Sequence, residues 1–271
     1  MDRLKEEFRS ETSDIAIREN SKIIMGILSS IGGREEQQDS SGFLMEESGA
    51  IIAVCDGMGG HSCGSLAAGI GIRTILEECA SGPSSGSVYE MLCDALIRAD
   101  KEVSGLTDEN SRPIYSGSTA VVVSVKQGEL FWASCGDSRL YICREGSFVQ
   151  ATTDHTYKWL ISESPESAEA KERGFLENNG KESALISFLG AGGLPYISYN
   201  EKAFSLQKGD RLLITTDGLY KSLDEKEIFE TVSGFPDVCT VLKELESKAE
   251  NHVECDSAER DNTTAVVVII K

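Results

Sequence analysis

Apolar residues along this chain recur with two periods, and each period predicts its own kind of element. Short runs of apolar or alternating positions at 22–31, 42–46 and 51–55 read as strands. Two helical stretches follow. In the second, Ser87 can cap with Glu90 three residues on, and Val88, Met91, Leu92, Ala95, Ala99 and Val103 mark one helical face. Strands resume at 118–125, 129–135, 139–143 and 148–151, with Glu145-Gly146 as a hairpin turn. Residues 161–182, rich in Ser, Glu, Asn and Gly, read as a surface insertion. Further strands are expected at 197–204 and 210–215. Ser222 with Glu225 reads as a second capping box, opening a helix over 223–232, and another helix spans 237–250 with Val238, Leu242, Leu245 and Ala249 on one face. The run 263–270 is short and almost wholly apolar, which predicts a strand buried on both faces.

Strands therefore come in consecutive groups broken by two helix pairs. That order argues for an α+β fold, antiparallel sheets covered by helices, over a doubly wound parallel sheet. No internal repeat is visible. Residues 1–21 form an N-terminal extension, charged, with sparse apolar positions at Leu4, Phe8, Ile15 and Ile17; a short docking helix and a loose tail are both open readings. Residues 22–271 form one domain, with a flap insertion at about 156–192.

Composition narrows the function classes. The 271 residues include 45 Asp+Glu against 26 Lys+Arg, a formal charge of −19. A surface this acidic repels phosphate backbones and anionic lipid, so neither nucleic acid nor membrane is an expected partner. The eight cysteines contain no CxxC pair, and Cys55 follows the apolar run Ile51-Ile52-Ala53-Val54, where a reduced thiol acts as a small hydrophobe. The first residues carry no apolar signal region and no stretch approaches a membrane span, so the chain reads as reduced, soluble and cytoplasmic.

Four aspartates share one local context. Asp56 follows the strand 51–55, Asp137 follows 129–135 by one glycine, Asp217 follows 210–215, and Asp261 precedes 263–270. Alone, each Asp-Gly or Asp-Asn step is ordinary turn chemistry. Four at strand ends can converge at one sheet edge, where hard oxygen ligands suit Mg²⁺ or Mn²⁺.

The flanking residues sharpen this. The run Asp56-Gly57-Met58-Gly59-Gly60 resembles the signature of the metal-dependent serine/threonine protein phosphatases, the type 2C or PPM family, in its bacterial-like form. Arg34-Glu35-Glu36-Gln37-Gln38-Asp39 matches that family's R-x-x-N-Q-D motif with Gln37 in place of Asn. Gly117-Ser118-Thr119-Ala120, Gly136-Asp137-Ser138-Arg139, Thr153-Asp154-His155, Thr216-Asp217-Gly218-Leu219 and Asp261-Asn262-Thr263-Thr264 follow in the family's order. One such motif is modest support, but seven in order make coincidence implausible.

The resemblance implies a four-layer αββα sandwich, two antiparallel sheets flanked by helix pairs. It implies two divalent cations, Mg²⁺ or Mn²⁺, with a weaker third. Asp56 would bridge both ions, the Gly57 carbonyl would ligate one, and Asp217 and Asp261 would hold the other. Asp137 with Asp217 matches the place of the third. Asp39 would hydrogen-bond metal-bound water, and Arg34 would clamp the phosphoryl oxygens. Phosphoserine and phosphothreonine would be hydrolysed by a metal-bridging hydroxide, in signalling opposed by a Ser/Thr kinase. The acidic surface suggests a preference for phosphosites flanked by basic residues.

Departures from the pattern carry their own expectations. Met58 stands where many relatives carry a histidine proposed as general acid, so the leaving group would take its proton from metal-bound water or another donor. Ser65 and Ala68 replace a Glu and a Ser at the start of a helix, which touches helix packing or N-terminal hydrogen bonding. His61 reads as exposed and His155 as a support for the flap base. A non-catalytic phosphatase-like scaffold is the alternative, disfavoured because Arg34 and every proposed ligand aspartate are present. A phosphoesterase with an aspartyl nucleophile lacks its first Asp, since Thr215-Thr216 precede Asp217.

Overall fold

The computed structural model describes residues 4–60, 63–82, 86–163, 182–253 and 260–271. The expectations for His61 and for residues 164–181 of the insertion lie outside the described residues. Two mainly antiparallel sheets stack face to face. The first contains β1 (Leu4–Phe8), β4 (Asp39–Glu46), β5 (Gly49–Met58), β7 (Ala120–Lys126), β8 (Glu129–Cys135) and β11 (Ser198–Tyr199) in that order, with β6 (Gly117–Ser118) on β5 and β12 (Phe204–Ser205) on β8. The second runs β10 (Ser147–Gln150), β9 (Arg139–Arg144), β13 (Arg211–Thr215), β14 (Thr263–Ile270), β3 (Ile23–Ser30) and β2 (Ser13–Glu19).

Strand alternation decides what each face meets. Phe43, Ile52 and Val54 of the first sheet pack against Ile27, Ile214 and Val266 of the second, forming the central core. The intervening residues face outward onto helices. Leu44, Ala53 and Cys55 meet α1 (Cys63–Ser81) and α2 (Val88–Ser104) through Ile72, Leu76, Leu92 and Leu96. On the other side Leu28, Leu213, Ala265 and Val267 meet Ile228, Val241, Leu242 and Leu245. Those residues come from α5 (Glu225–Gly234) and α6 (Val238–Val253), which follow two short helices, α3 (Tyr157–Glu163) and α4 (Asp217–Tyr220). The layers are helix, sheet, sheet, helix. As its apolar run predicts, β14 is buried against both the central core and a helix pair.

Three readings of the sequence need correction, and the strand expected over 197–204 is one: it is two two-residue strands, β11 and β12, both on β8. Residues 4–8 and 13–19 are neither a helix nor a tail; β1 pairs with β4 and β2 with β3, so the N-terminal segment adds one outer strand to each sheet. The second capping box uses Asp224 rather than Ser222. Asp224 Oδ1 accepts from Glu227 N at 2.8 Å, and Glu227 Oε2 accepts from Asp224 N at 3.1 Å. Ser222 instead donates to the Gly218 carbonyl at 2.7 Å, closing the turn of α4. The Ser87 cap forms as expected, accepting from Glu90 N. The hairpin turn places Glu145 and Gly146 at φ 47° and 84°, the left-handed geometry a tight two-residue loop needs.

Candidate active site

At one end of the sandwich the inner faces of both sheets turn from apolar to acidic. Along β5 the same face carries Ile52, Val54 and then Asp56; along β4 it carries Phe43, Ser41 and then Asp39. The register puts Asp39 directly opposite Asp56. From the second sheet, the face of Leu212 and Ile214 ends in Thr216, whose hydroxyl donates to Asp39 Oδ2 at 2.8 Å. Thr216 also accepts from Thr264 N at 2.9 Å. One threonine thus joins β13, β14 and β4 and sets Asp217, the first residue of α4, beside Asp39.

The surrounding loops are pinned by side-chain bonds. Asp56 N donates to Thr119 Oγ1 at 3.1 Å, and the Asp56 carbonyl accepts from Thr119 N at 2.9 Å and Ser118 Oγ at 3.0 Å. Thr119 Oγ1 lies 2.6 Å from Ser138 Oγ, which fixes the loop of Asp137. Tyr220 donates to the Asp137 carbonyl at 2.9 Å, tying α4 to that same loop. Asn262 accepts from Gln38 N and donates to the Ile31 carbonyl, both at 2.9 Å, so Asp261 is held against the 31–38 loop. Gln37, buried, accepts from Asp39 N at 3.0 Å and donates to Ser29 at 3.1 Å, so the longer amide bridges β4 to β3. Gly57 has a stricter reason for its identity. A Cβ there would stand 2.1 Å from the Gly64 carbonyl oxygen, where α1 begins against β5.

Burial and mutual repulsion shape the charges. Burial pushes the Asp39 carboxyl up to about 7, with Asp217 and Asp261 adding to the rise and Thr216 opposing it. The Asp56 carboxyl, closely surrounded by protein, is raised well above the carboxylate range by desolvation and then by Asp39, Asp217, Asp137 and Asp261. Asp137 rises to about 6, first through burial and then through Asp217, against a lowering effect of Lys221. Five carboxylates therefore feel one another at a single end of the fold. Among the described residues no three His, Cys, Asp or Glu side chains stand in a closed ligand geometry. Two of the five carboxylates are engaged by cationic side chains: Arg34 donates to Asp261 Oδ2 at 2.9 Å, and Lys221 to Asp217 Oδ2.

Arg34 is half-exposed and reaches Asp261 rather than its neighbours Glu35 and Glu36. His155 is buried and pushed down to about 4 by desolvation, and its ring stands among Trp159 and Tyr196 at the base of the insertion. Beside it Arg139 forms a forked pair with Asp154 and stacks on Tyr220 at 3.6 Å. Ser65, in the first turn of α1, donates to Glu36 at 2.7 Å, so the hydrogen bonding at this helix start does not depend on a Glu at that position. Sequence alone gives no role to Thr216, Thr119, Ser138 or Tyr220. Lys221 does carry a signal: it stands four residues after Asp217, the spacing at which an acid and a base meet on a helix.

The family model for Protein phosphatase 2C matches residues 25–159. The serine/threonine phosphatase stp of Listeria monocytogenes serotype 4b is 25% identical over 201 residues, covering 73% of this chain and 77% of that protein. Among solved structures, the serine/threonine phosphatase PstP/Ppp of Mycobacterium tuberculosis superposes with a TM-score of 0.73 at 22% identity, over 92% of this chain and 99% of that chain. A catalytic domain of PstP in complex with 2 manganese ions gives 0.70 at 22% identity, over 92% and 98%.

Proposed function

The chain belongs to the protein phosphatase 2C family, and on that premise we propose that it is a metal-dependent enzyme removing phosphate from phosphoserine and phosphothreonine in proteins. The observation that carries this reading is the convergence of Asp39, Asp56, Asp137, Asp217 and Asp261 at one end of the sandwich, with Asp39, Asp56 and Asp137 raised by burial and mutual repulsion. Such a cluster fits divalent cations. Its donors are hard oxygens, and bound positive charge would offset the cost of ionising crowded carboxyls. The manganese-bound PstP relative supports the same cofactor class.

In this reading Asp56, the Gly57 carbonyl, Asp217 and Asp261 would hold the divalent ions. Bound divalent ions supply Lewis-acid charge to the phosphoryl oxygens and lower the pKa of water toward about 7. Asp39, oriented by Thr216, accepts a hydrogen bond from the attacking water. Arg34 exchanges its Asp261 contact for the substrate phosphate, where a planar guanidinium offers two parallel donors. Met58 offers no proton, so the leaving oxygen takes one from solvent or another donor. Phosphorylated proteins are the partners, an opposing Ser/Thr kinase supplies them, and nucleic acid and membrane play no part. No helix among the described residues is long and apolar enough to cross a membrane. We place the activity in the cytoplasm, in keeping with seven free cysteines among the described residues.

The test is hydrolysis of matched peptides carrying phosphoserine, phosphothreonine or phosphotyrosine, with Mn²⁺ supplied. Release from the first two well above the third is expected. A scaffold without catalysis would release phosphate from none.

A further inference from the structure

Among the described residues, Lys221 is one of two cations bonded to the acidic end, the other being Arg34 on Asp261. It caps α4 four residues after Asp217, its backbone N donating to the Asp217 carbonyl at 2.9 Å and its ammonium to Asp217 Oδ2. The acid-before-base order at this spacing is the favourable one. Tyr220, the residue before it, is bonded to the Asp137 carbonyl at 2.9 Å, so α4 cannot shift without the Asp137 loop. Asp137, Tyr220 and Lys221 line an open cavity of about 580 Å³, which also carries the cations Arg139 and Lys158 and the carboxylate Glu182. Arg139 is committed elsewhere, to Asp154, to Tyr141 and to the face of Tyr220. Of the cations Arg139, Lys158 and Lys221 on this wall, it is Lys221 whose ammonium bonds Asp217, with Asp137 beside it.

A cation at this place and a third divalent ion are alternatives. An ammonium fixed between or beside two carboxylates reduces their attraction for a further metal and repels it directly. We propose that Lys221 is this enzyme's third cation: its ammonium neutralises the Asp137–Asp217 side of the site and keeps a further divalent ion from binding there. The proposal deepens the phosphatase reading and rests on it. It also replaces the expectation of a weak third ion with a tethered positive charge that needs no metal in solution.

The experiment counts Mn²⁺ per chain by equilibrium dialysis with elemental analysis, for the wild type, Lys221→Arg, Lys221→Ala and Lys221→Gln. Wild type and Lys221→Arg are expected to bind the same number. Lys221→Ala is expected to bind one additional, weaker ion, which disappears in the double variant Lys221→Ala/Asp137→Asn. If Lys221→Ala does not fold, Lys221→Gln makes the same comparison with a side chain of similar length. An equal count in all folded variants overturns the proposal, as does an additional ion that survives loss of the Asp137 charge. A wild type that binds Mn²⁺ and hydrolyses phosphopeptides while showing that equal count removes only the role of Lys221. A wild type that binds no Mn²⁺ and hydrolyses nothing removes the phosphatase reading and Lys221 with it.

Discussion

The middle and one end of the β4–β5 ladder use the same geometry for opposite purposes. In its middle, Phe43 stands opposite Ile52, and both are fully buried in the core between the sheets. Four residues along each strand, on the same face, Asp39 stands opposite Asp56. The backbone pairing is continuous; only the side chains change. In the middle, burial of apolar surface stabilises the fold at about 25 cal/mol per Å². At the end, the same closeness opposes ionisation of the carboxyls. The sandwich holds a costly acidic cluster because the cost falls at one edge of a well-packed core.

Breaking the acidic end while leaving its shape is the largest test of this contrast. Asp56→Asn or Asp217→Asn keeps the side-chain volume and removes a charge. Hydrolysis of p-nitrophenyl phosphate with Mn²⁺ should fall by about a thousandfold, the equivalent of roughly 4 kcal/mol of lost metal-centred stabilisation. The metal-free melting temperature should hold or rise, because repulsion is relieved. Activity retained in both variants would remove the aspartates from catalysis.

Breaking the apolar middle should give the converse. Ile52→Ala is expected to cost about 2–5 kcal/mol of stability by denaturant titration, through lost transfer energy and a residual cavity. Its kcat/KM per folded molecule should stay near the wild-type value. A loss of activity without a loss of stability would show that the two regions are not separable.

A smaller effect concerns Arg34, which the proposed mechanism moves from Asp261 to the substrate phosphate. Arg34→Ala should lower kcat/KM for phosphopeptides by about tenfold, mostly through KM, as expected for one charge-assisted contact of about 1.5 kcal/mol. An unchanged kcat/KM would leave the guanidinium with only its Asp261 partner.

The smallest effect is in pH. Asp39 and Asp137 have folded values of about 7 and about 6, both raised from an ordinary 3.8. A raised folded pKa means the folded state holds the proton more tightly. Its contribution to stability is therefore complete below the unfolded pKa and is lost as pH rises through the folded value. The metal-free protein should melt lower at about pH 8 than at about pH 5, and Mn²⁺ should narrow the difference. A metal-free melting temperature that rises over that range would contradict the charge assignment.

Much of this contrast is legible in the sequence, and the parts that are not have physical reasons. The strand at 129–135 and the last strand at 263–270 match their expected bounds, because apolar burial fixes both. The four strand-end aspartates are readable because glycine or asparagine beside each marks the turn. The N-terminal strands escape notice because β1 and β2 are outer strands with no fully buried position and only a few half-buried ones, too weak a pattern to separate from a tail. Ser222 and Asp224 both satisfy the capping-box spacing, and only the turn of α4, which takes the Ser222 hydroxyl, leaves Asp224 as the cap. Thr216 is the hardest to foresee. Its hydroxyl matters through Asp39, 177 residues away in sequence, and only the pairing of two sheets brings them together.

The central claim is that the acidic end works only with divalent cations. Phosphate release from a phosphothreonine peptide, followed with Mn²⁺ and then with excess EDTA, tests it most directly. The account predicts turnover with Mn²⁺, its loss with EDTA and its return on adding Mn²⁺ back. Turnover that persists unchanged in EDTA would contradict it.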